Sequence, residues 1–242
     1  MITIEDFGDF FEAVHGVEKR PFSWQEDLLR HLVNTGTWPE QIVAPTGAGK
    51  SSVVEMHVFA VALFAVGAAK RVPRRLAVVV NRRALTDSHA ARAARIRCLL
   101  EEAPADDSIL SRVRDALVGL RVFEAEDRAP LVTATMRGAA ATDRAWLNAP
   151  EACAVLCMTP AMWASSLYGA SRLARPRLAG MLALDTAVVV DEAHLSRQIL
   201  VTARRVGQLC VPSAQRLGIP ALQTVEMTAT PSGDATAIVG VT

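Results

Sequence analysis

Three short polar segments follow one another along this chain, each at the end of an apolar run: APTGAGKSS at residues 44–52, VVVDEAH at 188–194 and EMTATP at 226–231. A run that is apolar at nearly every residue and stops abruptly at charged or hydroxyl side chains reads as a parallel strand buried on both faces. Such runs occur at Gln41–Ala44, Arg75–Val80, Leu131–Thr135, Ala154–Met158, Thr186–Val190 and Thr224–Thr228. Between them the spacing turns helical: Ile4, Phe7, Phe10, Phe11 and Val14; Leu28, Leu29, Leu32 and Val33 after Ser23; then 50–69, 85–100 and 109–120. Residues 101–107 read as a polar loop. The alternation predicts an α/β fold, a mainly parallel sheet with helices on both faces. It divides the chain into an N-terminal helical extension at 1–20, one α/β domain at 21–231, and a weakly structured tail or linker at 232–242.

With 242 residues the chain can bury a sizeable core. Its formal net charge of +1 hides a skew: arginines gather at 71–75, 82–97 and 172–177. Such patches suit a face that meets phosphates, or else solvate helix surfaces. Four cysteines, Cys98, Cys153, Cys157 and Cys210, are too sparse for a disulfide framework and form no CxxC pair. They predict a reducing, cytoplasmic setting, with Cys153 and Cys157 as small core residues. The most apolar stretch, 53–69, is interrupted by Glu55 and His57 and is short of a membrane span, so it is expected to be a buried helix.

Each polar segment has its own chemistry. A strand turning into a helix through Thr46, Gly47, Ala48, Gly49, Lys50, Ser51 and Ser52 offers backbone N–H groups and a helix N-terminus to an anion. Lys50 is expected to reach the β- and γ-phosphates of ATP, and Ser51 to offer its hydroxyl to Mg²⁺. In the second segment the acids emerge at a strand's C-terminal end, where open α/β sheets place ligands. Asp191 is then a Mg²⁺ partner and Glu192 the residue that polarises an attacking water. Thr228, Ala229 and Thr230 suit a bridge from the acidic site to a neighbouring domain, while Phe22 and Gln25 suggest an apolar wall and an amide for adenine. Plainer readings exist for each, an ordinary turn, a solvated strand end, a core Phe; the fixed order of the three favours the chemical ones.

With those residues in place, the chain resembles the first RecA-like P-loop NTPase domain of a superfamily 2 helicase of the DEAH-box type, over about 22–231. The resemblance implies that His194 couples the ATP site to Thr228–Thr230, and that Asn81, Arg82, Arg83, Thr159 and Pro160 contact the backbone of single-stranded nucleic acid. The stretch TATMRGAAATDRAWLNAPEACAVLCMTPAMWASSLYG, followed by DEAHLSRQ, is similar to the CRISPR-associated helicase-nuclease of type I systems. That similarity adds Arg137 and Gly138 to the DNA-facing set, and a guide-RNA surveillance complex as a partner. No His-Asp dipeptide occurs, so the nuclease centre of that family is not expected here. A second RecA-like domain with its arginine fingers is expected elsewhere, which makes this chain half of a motor. The alternatives are a helicase domain from a restriction or RNA-processing system, and a nucleotide-gated binding or assembly module without catalysis.

Overall fold

The computed structural model describes residues 1–122, 129–137, 145–169, 175–192, 196–229 and 238–240. Among the described residues seven strands form one sheet: β1 (Gln41–Val43), β2 (Arg75–Val80), β3 (Val132–Met136), β4 (Ala154–Met158), β5 (Thr186–Asp191), β6 (Gln223–Thr228) and β7 (Ile238–Gly240). Their spatial order is β3-β4-β2-β5-β6-β1-β7, and every pairing is parallel. The α-helices are α1 (Phe7–His15), α2 (Ser23–Thr35), α3 (Val53–Ala65), α4 (Arg83–Glu101), α5 (Ile109–Gly119), α6 (Pro160–Ala164), α7 (Arg175–Ala183) and α8 (Arg197–Leu217).

Side chains alternate across the sheet because the strand period is two. From β2, Leu76, Val78 and Val80 enter a core shared with α1–α5, while Ala77 and Val79 enter a second core with α6–α8. β5 divides likewise, Ala187 and Val189 on one side and Val188 and Val190 on the other. This is why both strands are apolar at nearly every position. The expected small-residue role of Cys153 and Cys157 holds: both are buried in the first core, and desolvation pushes the Cys157 thiol up to about 12.

α3 is buried from Val53 to Leu63, as a helix apolar on nearly every side must be. Its one carboxylate, Glu55, lies 2.6 Å from Arg92 of α4 and 2.9 Å from His15 of α1. Phe7 and Phe10 of α1 stack on Phe59 at 5.4 and 5.2 Å, so the N-terminal helix shares the main core. No described helix is long and apolar enough to cross a membrane.

Two expectations change. β7 falls inside the segment read as a tail; three residues paired to the edge of β1 carry too little side-chain pattern to be seen in sequence. The arginines at 71–75 are neither a phosphate patch nor helix solvation, because they lie at the N-terminal foot of the sheet around Asp185. Arg74 Nε donates to Asp185 Oδ2 at 2.6 Å, and Arg71 Nη2 lies 3.4 Å from the same oxygen. The buried Arg75 guanidinium donates to the carbonyls of Met181, Pro150 and Leu184 and to Thr186 Oγ1. Burial lowers its pKa to about 10, with Asp185 opposing the fall, so it stays charged at neutral pH.

Candidate functional site

The C-terminal edge of the sheet gathers the polar segments in two groups. β5, β6 and β1 are neighbours, and Asp191 and Ile42 both pair with Met227. They stand level, two strand spacings or roughly 10 Å apart. Val43 pairs with Thr228, whose carbonyl accepts the Ala44 N–H at 3.0 Å. On the other flank β2, β4 and β3 are neighbours, and their loops carry Asn81, Thr159 and Arg137. Strand order thus places the residues expected at ATP beside one another and those expected at nucleic acid beside one another.

In the glycine-rich loop, Gly47 and Gly49 have φ of 86° and 74°, the left-handed region that favours glycine. A Cβ on Gly49 would lie 2.8 Å from Gln25 Nε2 and 3.3 Å from the Phe22 ring, so α2 packs directly on the loop. Phe22 is 53% exposed, a large apolar side chain open to solvent beside the loop. Gln25 is placed otherwise than an amide awaiting a base: it is 1% exposed. Its Nε2 donates to Ser52 Oγ at 2.6 Å and to the Gly49 carbonyl at 3.2 Å, and its Oε1 accepts the Phe22 N–H at 2.9 Å. Ser52 also faces inward, donating its hydroxyl to the Gly49 carbonyl at 2.6 Å.

The Lys50 ammonium turns back onto its own loop, donating to the carbonyls of Ala44 at 2.7 Å and Pro45 at 3.3 Å. Thr46 is exposed, and Ala48 and Ser51 are half-buried. Asp191 Oδ1 accepts the Glu192 N–H at 2.9 Å, and its Oδ2 lies 3.7 Å from His89 Nε2. Glu192 has φ of 51°, a left-handed turn that costs a non-glycine residue roughly 1–2 kcal/mol and ends the strand sharply. A strand-end carboxylate level with a glycine-rich loop fits the donor set of Mg²⁺, which is held by one or two carboxylates together with phosphate oxygens and water.

On the flank formed by β2, β4 and β3, Arg82 and Arg83 are exposed at the start of α4, and Arg137 is ion-paired with Asp87 of that helix. Thr159 is the N-cap of α6, its Oγ1 accepting the Met162 N–H at 3.4 Å, with Pro160 at the first helical position. Asn81 Nδ2 donates to Ser196 Oγ at 2.6 Å across the seam between the two groups. A groove of about 420 Å³ opens there, lined by Asn81, Pro160, Ala161, Ser196 and Arg197. His194, Gly138 and Thr230 lie outside the described residues, while Thr228 is buried and Ala229 exposed.

Sequence reasoning missed Trp24, His89 and Ser196. Trp24 neighbours Gln25, a signal that was available; His89 sits mid-helix in no motif, and only the fold brings it to Asp191.

No protein-family model and no curated protein sequence matches the chain. Among solved structures it is similar to the yeast DEAD-box splicing factor Prp28, at 14% identity and a TM-score of 0.52 over 94% of this chain. It is also similar to UvsW of bacteriophage T4, at 14% identity and a TM-score of 0.45 over 95%. The chain spans 45% of the Prp28 chain and 35% of the UvsW chain. The likeness to Prp28, with the strand order above, gives the fold: a RecA-like α/β domain built on a parallel sheet.

Proposed function

We propose that this chain is the ATP-binding domain of an ATP-dependent DNA helicase or translocase of DEAH-box type, acting in type I CRISPR antiviral defence. In this reading it couples ATP hydrolysis to movement along single-stranded DNA. The observation that carries it is the strand order, which puts the Lys50 loop, Asp191–Glu192 and Thr228 on adjacent strand ends. Lys50 exchanges its two carbonyl partners for the β- and γ-phosphates, Ser51 and Asp191 hold the cation, and Glu192 orients the attacking water. Mg²⁺, when bound, neutralises charge on the phosphates. Asn81, Arg82, Arg83 and Arg137, with Gly138, Thr159 and Pro160, face the strand as backbone contacts without base readout. His194 and Thr228–Thr230 relay nucleotide state to a second RecA-like domain, whose arginine fingers supply on the order of 10³–10⁵ in rate. The DNA and defence assignments draw on the Arg-Gly and Trp-containing stretch before β4.

The test is Mg-ATP hydrolysis by the purified chain, with and without single-stranded DNA, beside Glu192→Gln. Hydrolysis that rises with DNA and disappears in the variant supports the motor reading. Nucleotide binding without hydrolysis, unchanged when the second domain is supplied in trans, assigns a nucleotide-gated binding module instead. Absence of nucleotide binding removes both.

A further inference from the structure

α2 backs the glycine-rich loop with two side chains. The Trp24 indole, 1% exposed, donates its Nε1–H to the Ala48 carbonyl at 3.0 Å. Gln25 donates to the next carbonyl, Gly49, which also accepts the Ser52 N–H at 3.0 Å. In a trans peptide the C=O of one residue and the N–H of the next point in opposite directions. Holding the Ala48 carbonyl against α2 therefore turns the Gly49 N–H away from it, and holding the Gly49 carbonyl does the same for Lys50 N–H. The Gly49 carbonyl has several donors, whereas Trp24 reaches the Ala48 carbonyl from 24 residues upstream. Gly49 sits at φ 74°, a region glycine reaches without steric cost, so no side chain of its own fixes the orientation of this peptide.

We propose that Trp24 is a positioning residue for the phosphate cradle: its buried indole N–H fixes the Ala48–Gly49 peptide so that the Gly49 N–H meets a polyphosphate. The inference rests on the nucleotide reading of this loop. Its ligand class is the polyphosphate of a nucleoside di- or triphosphate, not the base or sugar, because the group it aims is a backbone donor to an anion.

The experiment is Trp24→Phe, which keeps an aromatic ring in the core and removes the donor. Affinities for Mg-ATP, tripolyphosphate and adenosine are measured by competition against a fluorescent nucleotide, with a thermal melt for each protein. Expected is about a tenfold loss for Mg-ATP and for tripolyphosphate, adenosine unchanged, in a variant that still melts cooperatively. Unchanged tripolyphosphate affinity, or an equal loss for adenosine, overturns the assignment while leaving the nucleotide reading in place. A wild-type chain that binds neither Mg-ATP nor tripolyphosphate overturns that reading and this one together. Should Trp24→Phe fail to fold, hydrogen exchange of the wild-type Trp24 indole decides. Protection retained with tripolyphosphate bound supports the clamp, and exchange at the rate of a solvated indole overturns it.

Discussion

Asp185→Asn should be among the most damaging single-atom changes available in this chain. The carboxylate is fully buried, accepts Arg74 Nε at 2.6 Å and the Arg74 backbone N–H at 3.2 Å, and pairs with Arg71 at 3.4 Å. Asparagine fits the backbone, since φ of 52° is a left-handed position it tolerates, and it keeps an acceptor for the N–H. What disappears is the counter-charge for Arg74, whose side chain is 19% exposed, and for buried Arg75 beside it. Arg71 is a third exposed and can turn to water, so its loss counts for little. Breaking a buried pair by removing one partner costs about 3–5 kcal/mol, and the retained acceptor puts this case near the lower end. For a domain of this size that lowers the melting midpoint by roughly 6–12 °C. The assay is a thermal melt paired with urea unfolding, together with Mg-ATP affinity of the folded variant. The network lies about 20 Å along β5 from Asp191, so affinity should not change. A midpoint shift below about 2 °C would refute the reasoning, by showing that water or backbone carbonyls already satisfy these guanidinium groups.

Lys50→Ala should lower Mg-ATP affinity on the order of 100-fold while the melting midpoint moves little, since only two part-exposed carbonyl contacts are lost; calorimetric titration checks it. Gly49→Ala forces a Cβ to 2.8 Å from Gln25 Nε2 at a left-handed φ, a cost of about 1–2 kcal/mol visible in urea unfolding, with weaker nucleotide binding. His57 is buried and held neutral by desolvation, its pKa lowered from 6.5 to about 4. The unfolded chain takes up this proton first, so its stabilising contribution is whole above pH 6.5 and is lost as pH falls toward 4, by about 3 kcal/mol. A His57→Gln variant should flatten the urea midpoint across that window, and an unchanged slope would contradict the assignment. Exposed Cys98 should react with a thiol reagent in the native protein, whereas Cys153 and Cys157 should react only on unfolding.

The elements legible in sequence are those whose two faces are both buried. β2 and β4 match the expected Arg75–Val80 and Ala154–Met158, because nearly every residue is apolar and the flanks are polar or turn-forming. The position of the strand-end polar clusters was legible for the same reason: a polar cluster closing such a run has to emerge at the edge of the sheet. Which side chain engages which partner was not. Gln25 shows the right residue type next to the right loop, but its amide is taken up by Ser52 and Gly49, contacts that need the α2 N-terminus docked. The basic run at 71–75 announced charge, and its counter-charge lies more than 100 residues downstream, where no local pattern points to it.

Arg75 has a consequence beyond stability. A sheet covered on both faces has no polar side, so slipping one strand past another by a residue leaves apolar groups buried and hydrophobicity alone does not forbid it. Arg75 pairs with Thr186 at the foot of β2 and β5, and its guanidinium is bonded to Leu184, Met181 and Thr186 on the β5 side. Those bonds fit one alignment of the two strands. Counting up from that anchor, Val80 meets Asp191 at the upper edge, five residues later. The arginine at the base therefore works as the zero mark of a ruler: it sets the height at which the acidic turn leaves the sheet, about 17 Å from any residue of that turn.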